Sequence, residues 1–128
     1  DYLREMVALI TSSNRPAGAE VHVDLQVQPL EVSVETAVPL SLIASELVLN
    51  SLKHAFRGRR EGTLTVRLTR EDGTFRLFVG DDGPGMQPPD PGHSGVGLQL
   101  IEGLTKQIKG RREVASGPGV GTTITWQE

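Results

Sequence analysis

The 128-residue chain predicts an α+β fold: a two-layer α/β sandwich in which a mixed, mostly antiparallel sheet packs on about three helices. Three observations lead there. Apolar residues recur at helical spacing in three separate segments. They alternate at strand spacing in the segments between. Two pairs of those strands are joined by short glycine-containing turns, which argues against a doubly wound parallel sheet, whose connections need long crossovers.

The elements follow in order. Leu3, Met6, Val7 and Ile10 mark a helix over residues 1–12, broken by Ser12, Ser13, Asn14, Pro16 and Gly18. Val21, Val23, Leu25 and Val27 alternate with polar residues as a half-buried strand, closed by Pro29. A long helix is expected from about Glu35 to Phe56, with Val38, Leu42, Val48, Leu49, Leu52, Ala55 and Phe56 as its apolar surface and Pro39 in its first turn. Leu64, Val66 and Leu68 form a strand, Asp72-Gly73 a hairpin turn, and Phe75, Leu77 and Val79 the return strand. Asp81–Ser94 is rich in Gly, Pro and Asp and reads as loop. Gly95–Lys109 reads as a helix with Leu98, Ile101, Leu104 and Ile108 on one stripe and Gly110 as its stop. Strands near Glu113–Ser116 and Thr122–Trp126 close the chain.

Composition removes several function classes. With no cysteine, there are no disulfides, thiolate metal sites or cysteine nucleophiles. A net charge of -3 is a poor match for nucleic acid, whose phosphates demand Lys and Arg. The run Arg57-Gly58-Arg59-Arg60 is local and reads as a solvated loop. No apolar stretch approaches the ~18 residues of a membrane helix. The chain opens on Asp1 without an initiator Met, so it reads as part of a longer protein.

Four short patterns carry chemistry. Glu46, Asn50, Lys53 and His54 share one polar face of the long helix, being spaced by four, seven and eight residues. An acid, an amide oxygen and a cation there suit a hydrated magnesium ion and the phosphates it bridges. Asp81-Asp82-Gly83-Pro84-Gly85 follows a strand; a carboxylate at that end accepts a hydrogen bond from an exocyclic amine such as that of adenine. Gly95-Val96-Gly97-Leu98 opens a helix, where unpaired N–H groups and partial positive charge favour phosphate. Gly119-Val120-Gly121-Thr122 leads into the last strand with a hydroxyl beside the base position. The third pattern is neither a P-loop nor a dinucleotide fingerprint. Alone, each is as common in ordinary turns and helix faces; their order and spacing make the set specific.

Together these motifs resemble the ATP-binding superfamily of gyrase, Hsp-type chaperones, MutL and histidine kinases, over the whole chain from about Val21. Glu46–Ala55 looks like a histidine-kinase N box, Asp81–Gly85 like a G1 box, Gly95–Leu98 like a G2 box. Lys53-His54-Ala55 and Gly97-Leu98-Gln99-Leu100-Ile101 resemble the bacterial branch related to the HWE kinases. The stretch between Gly85 and Gly95 is short and carries no F box, and no Trp-x-Glu signature lies near Asp81.

The resemblance implies a Bergerat-type ATP-binding fold and a catalytic domain that transfers the γ-phosphoryl group of ATP to a histidine. It implies Asn50 as the Mg2+ ligand, Glu46 as the acid that polarises a water or the acceptor imidazole, and Lys53 and His54 as phosphate-facing groups. It implies Asp81 as the adenine reader with Thr122 in support, and Gly83, Gly85, Gly95, Val96, Gly97 and Leu98 as the shape of the pocket and its lid. His22, His54 and His93 are outside any acceptor pattern, so the acceptor is expected upstream, in a dimerisation domain of which residues 1–12 are the tail. Residues 13–128 are then the catalytic domain. The other expected partner is a response-regulator receiver domain, the setting cytoplasmic, and the whole protein a homodimer. The alternatives are an anti-sigma-type serine kinase and a nucleotide-binding module without catalysis.

Overall fold

The computed structural model describes residues 2–14, 20–54, 61–83, 96–116 and 119–127, without the side chains of Tyr2, Asn14, His54, Val96 and Ser116. The elements run α1 (Tyr2–Asn14), β1 (Glu20–Val27), α2 (Val34–His54), β2 (Glu61–Glu71), β3 (Thr74–Asp81), α3 (Val96–Gln107), β4 (Arg111–Ser116) and β5 (Val120–Gln127). The five strands form one sheet in the order β1-β2-β3-β5-β4. β1 and β2 are parallel, bridged by α2, and the remaining neighbours are antiparallel. The expected mixed, mostly antiparallel two-layer sandwich is the fold observed.

Side-chain alternation explains the layering. Leu64, Val66 and Leu68 of β2, Phe75, Leu77 and Val79 of β3, and Ile124 and Trp126 of β5 all point to one face and are buried there. Leu40, Ile43, Ala44, Leu47, Val48 and Leu52 of α2 cover them, with Leu3 and Val7 of α1, Ile101 of α3 and Ile108 just after α3 beside. The opposite face carries Thr65, Arg67, Arg76, Thr123 and Thr125. On it the Phe78 ring lies over Gly80 and Gly121, where an added Cβ at Gly121 would come within 2.8 Å of the ring.

The hairpin turn is set by its residues. Asp72 (φ 52°) and Gly73 (φ 78°) both occupy the left-handed region, as a two-residue turn matched to strand twist requires. Ser33 caps α2: its carbonyl accepts from the N–H groups of Thr36 and Ala37 at 3.1 and 2.8 Å.

Four local expectations are corrected. Val38 and Leu42 are 59% and 45% exposed and, with Val34, form an outward stripe. α2 carries apolar residues on more than one side, and packing on the sheet selects the Leu40–Ile43–Leu47 side. Pro39 sits inside the helix rather than in its first turn, so the Glu35 carbonyl lacks its usual donor four residues on. Leu98 is 49% exposed and stands off the buried stripe of α3. The residue that turns left-handed after α3 is Lys109 (φ 56°), not Gly110. The Gly110 N–H reaches the Thr105 carbonyl at 2.9 Å and the Lys109 N–H the Lys106 carbonyl at 3.0 Å, a Schellman closure. Gly110 is required by proximity instead, since a Cβ there would lie 2.9 Å from the Thr125 carbonyl oxygen.

Candidate functional site

The polar face of α2 meets the start of α3. Glu46 and Asn50 are half-buried, one turn apart on that face. A Cβ at Gly97 would lie 3.0 Å from Glu46 Oε2 and 4.0 Å from Asn50 Oδ1. Both oxygens therefore converge on the first turn of α3, whose free N–H groups favour anions. Two oxygen donors beside an anion-binding helix end fit the chemistry of hydrated magnesium on phosphate. Lys53 is exposed on the same face of α2, with its ammonium free of any carboxylate among the described residues.

Asp81 ends β3. Along that strand Phe75, Leu77, Val79 and Asp81 share the face turned to the helices. Asp81 Oδ1 accepts from the Gly83 N–H at 3.0 Å and the Val120 N–H at 3.2 Å. Its Oδ2 accepts from the Ser51 hydroxyl at 3.2 Å. Among the described residues every donor is neutral, so they position the carboxylate without a counter-charge. Asp82 points the other way, and its Oδ1 accepts from the Thr63 N–H at 3.0 Å, tying the end of β3 to the start of β2. Of the two consecutive aspartates only the first faces the site.

β5 completes the corner because it lies next to β3 in the sheet. Thr122 pairs with Val79, is buried, and lies diagonally across the ladder from Asp81. Gly119 is packed against the Asp81 backbone: an added Cβ would overlap the Asp81 carbonyl oxygen and come within 2.9 Å of its carbon. Backbone cannot swing aside as a side chain can. Gly119→Ala is expected to cost about 1–3 kcal/mol of stability through overpacking, read as a lower urea midpoint at unchanged m-value.

The structure thus brings together Glu46, Asn50, Gly97, Asp81, Gly83 and Thr122, with Lys53 on the adjoining surface. The His54 and Val96 side chains, Gly85, Gly95 and the expected lid Met86–Ser94 lie outside the described residues. Leu98 is on the exposed side of α3. His22 is away from this corner, on the edge strand β1, 3.5 Å from Glu61 with both side chains exposed. Ser51 was not among the sequence candidates. The available signal was a hydroxyl directly after Asn50, on the side of α2 that carries Leu47 and Leu52 into the core.

Residues 35–127 match the family described as histidine kinase-, DNA gyrase B- and HSP90-like ATPase. The chain belongs to that family. An ATPase domain of this family binds ATP, and the corner between α2, α3 and the ends of β3 and β5 is its candidate nucleotide site. The chain is 32% identical over 108 residues to blue-light-activated histidine kinase 2 of Erythrobacter litoralis, covering 81% of this chain and 31% of that protein. The chain therefore spans about a third of that relative's length. It is 26% identical over 124 residues to an anti-sigma F factor of Halalkalibacterium halodurans, covering 88% of this chain and 82% of that one. Among solved structures, the histidine kinase domain of the Erythrobacter litoralis EL346 blue-light-activated kinase superposes with a TM-score of 0.87 at 27% identity, covering 98% of this chain and 59% of that one. The fold is that of a histidine kinase catalytic domain. No helix among the described residues is long and apolar enough to cross a membrane.

Proposed function

We propose that this domain binds Mg-ATP at the α2–α3 corner and transfers the γ-phosphoryl group to a histidine of an upstream dimerisation domain, as part of a two-component sensor kinase. The observation that carries the reading is the convergence of the Glu46 and Asn50 oxygens on the first turn of α3, beside a carboxylate that accepts from the Ser51 hydroxyl and the Gly83 and Val120 N–H groups. Asp81 accepts a hydrogen bond from the adenine amine, with Thr122 beside it. Lys53 and the α3 N–H groups hold the phosphates. The Asn50 amide oxygen would hold magnesium, which would supply neutralising charge when bound. Glu46 accepts a hydrogen bond from the acceptor imidazole and orients its attacking nitrogen. The bond from phosphorus to the β–γ bridging oxygen breaks, a phosphorus–nitrogen bond forms, and ADP leaves. Such transfer depends mainly on positioning and charge stabilisation.

In this reading residues 1–12 continue the upstream helix, the phosphohistidine passes its phosphoryl group to a receiver-domain aspartate, and the whole protein is a cytoplasmic homodimer. The test is incubation of a longer protein, including the dimerisation domain, with γ-labelled ATP. Acid-labile, base-stable label on that domain supports a histidine acceptor. Asn50→Ala is expected to lower transfer by about 100-fold or more without unfolding the chain, since alanine favours the helix. Transfer at the wild-type rate removes Asn50 from the mechanism.

A second reading is favoured by the anti-sigma F factor matched over most of its own length. An anti-sigma-type serine kinase would use the same nucleotide site and place an acid-stable phosphate on a partner protein's serine. The acid stability of the label separates the two.

A further inference from the structure

Asp81 reads a base only if its carboxylate plane is fixed, and its own backbone anchors do not fix it. A carboxylate has about four acceptor positions, two on each oxygen. Both positions on Oδ1 are taken, by the N–H groups of Gly83 and Val120. Two anchors on one oxygen hold that oxygen in place and leave the other free to pivot about it. The Ser51 hydroxyl, 3.2 Å from Oδ2, is the anchor on the second oxygen. It occupies one of the two Oδ2 positions and leaves one acceptor position for a ligand.

We propose that Ser51 is a positioning residue for base selection: it sets the plane of the Asp81 carboxylate so that the last free acceptor position of Oδ2 meets a 6-amino group. The inference rests on the nucleotide reading above. A carboxylate offers no proton, so a 6-oxo purine presents acceptor against acceptor, and a purine without a 6-substituent leaves the position unpaired. Ser51 is also the residue after Asn50 on α2. Its bond therefore ties the helix that carries the phosphate-facing oxygens to the strand end that reads the base.

The experiment measures Mg-dependent binding of ATP and of purine riboside triphosphate, which lacks the 6-amino group, to the wild-type chain, Ser51→Ala and Ser51→Thr. Ser51→Ala is expected to weaken ATP binding about five- to tenfold while purine riboside triphosphate binding stays within about twofold, so the preference for the 6-amino group narrows. Ser51→Thr, which keeps a hydroxyl donor, is expected to retain the preference. A circular-dichroism melt confirms that each variant is folded. An equal loss for both nucleotides, or none for either, overturns the inference while leaving the nucleotide site standing. Failure of the folded wild-type chain to bind either nucleotide overturns the site itself, and the inference with it.

Discussion

Asp81→Asn weakens the stabilisation that Mg-ATP gives the wild-type chain. At about 100 times its dissociation constant a ligand adds about 2.7 kcal/mol to stability, several degrees in melting temperature for a domain of this size. The substitution is nearly isosteric, and its effect follows from donor counting. The amide oxygen of asparagine replaces Oδ1 and keeps the bonds from the Gly83 and Val120 N–H groups. The amide nitrogen then stands where Oδ2 was. The Ser51 hydroxyl adapts by rotating to accept, because a hydroxyl both donates and accepts. The adenine amine cannot adapt: it meets donor with donor in a partly buried position, a mismatch costing about 1–3 kcal/mol. Without ligand, Asp81→Asn should melt close to wild type. A full Mg-ATP shift in this variant would remove Asp81 from base recognition.

Phe75→Ala produces the largest stability loss at the far end of the same strand. Phe75 is 2% exposed and stacks on Trp126 with ring centroids 5.4 Å apart and planes 12° from parallel. The Arg70 guanidinium covers its ring at 5.2 Å. Truncating a buried phenylalanine costs about 3–5 kcal/mol through lost burial and the cavity left behind. That is a large share of the roughly 5–15 kcal/mol that holds a typical domain folded. Trp126 is the chain's one tryptophan, so its fluorescence reports both the lost stacking and the unfolding midpoint in urea. Because Phe75 and Asp81 lie at opposite ends of β3, molecules that remain folded should bind Mg-ATP normally. A loss below about 1 kcal/mol would show that the Phe75–Trp126 stack is not part of the load on the core.

These variants also separate what could be read locally from what could not. The Asp72-Gly73 turn was legible because two consecutive positive φ angles admit few residues. The strands were legible because alternation follows directly from the pleat. The grouping of Glu46, Asn50 and Lys53 was legible because helical spacing alone puts them on one face. The outward stripe Val34–Val38–Leu42 was not, since α2 has apolar residues on both sides. Pro39 was misplaced because the cap at Ser33, which starts the helix, is a backbone event that many serines do not make.

The sequence by itself determined the two layers, the order of helices and hairpins, and the residue types able to meet phosphate and base. Those follow from periodicity, turn chemistry and functional groups, all of which act over a few neighbouring residues. Only the tertiary structure decided that Gly119 must be bare against the Asp81 backbone, that Gly97 meets the Glu46 and Asn50 oxygens, and that Ser51 braces the carboxylate. They depend on β5 inserting beside β3, on α2 crossing over the strand end and on α3 packing against α2. Such contacts join residues 30 or more positions apart, and no local pattern along the chain encodes them.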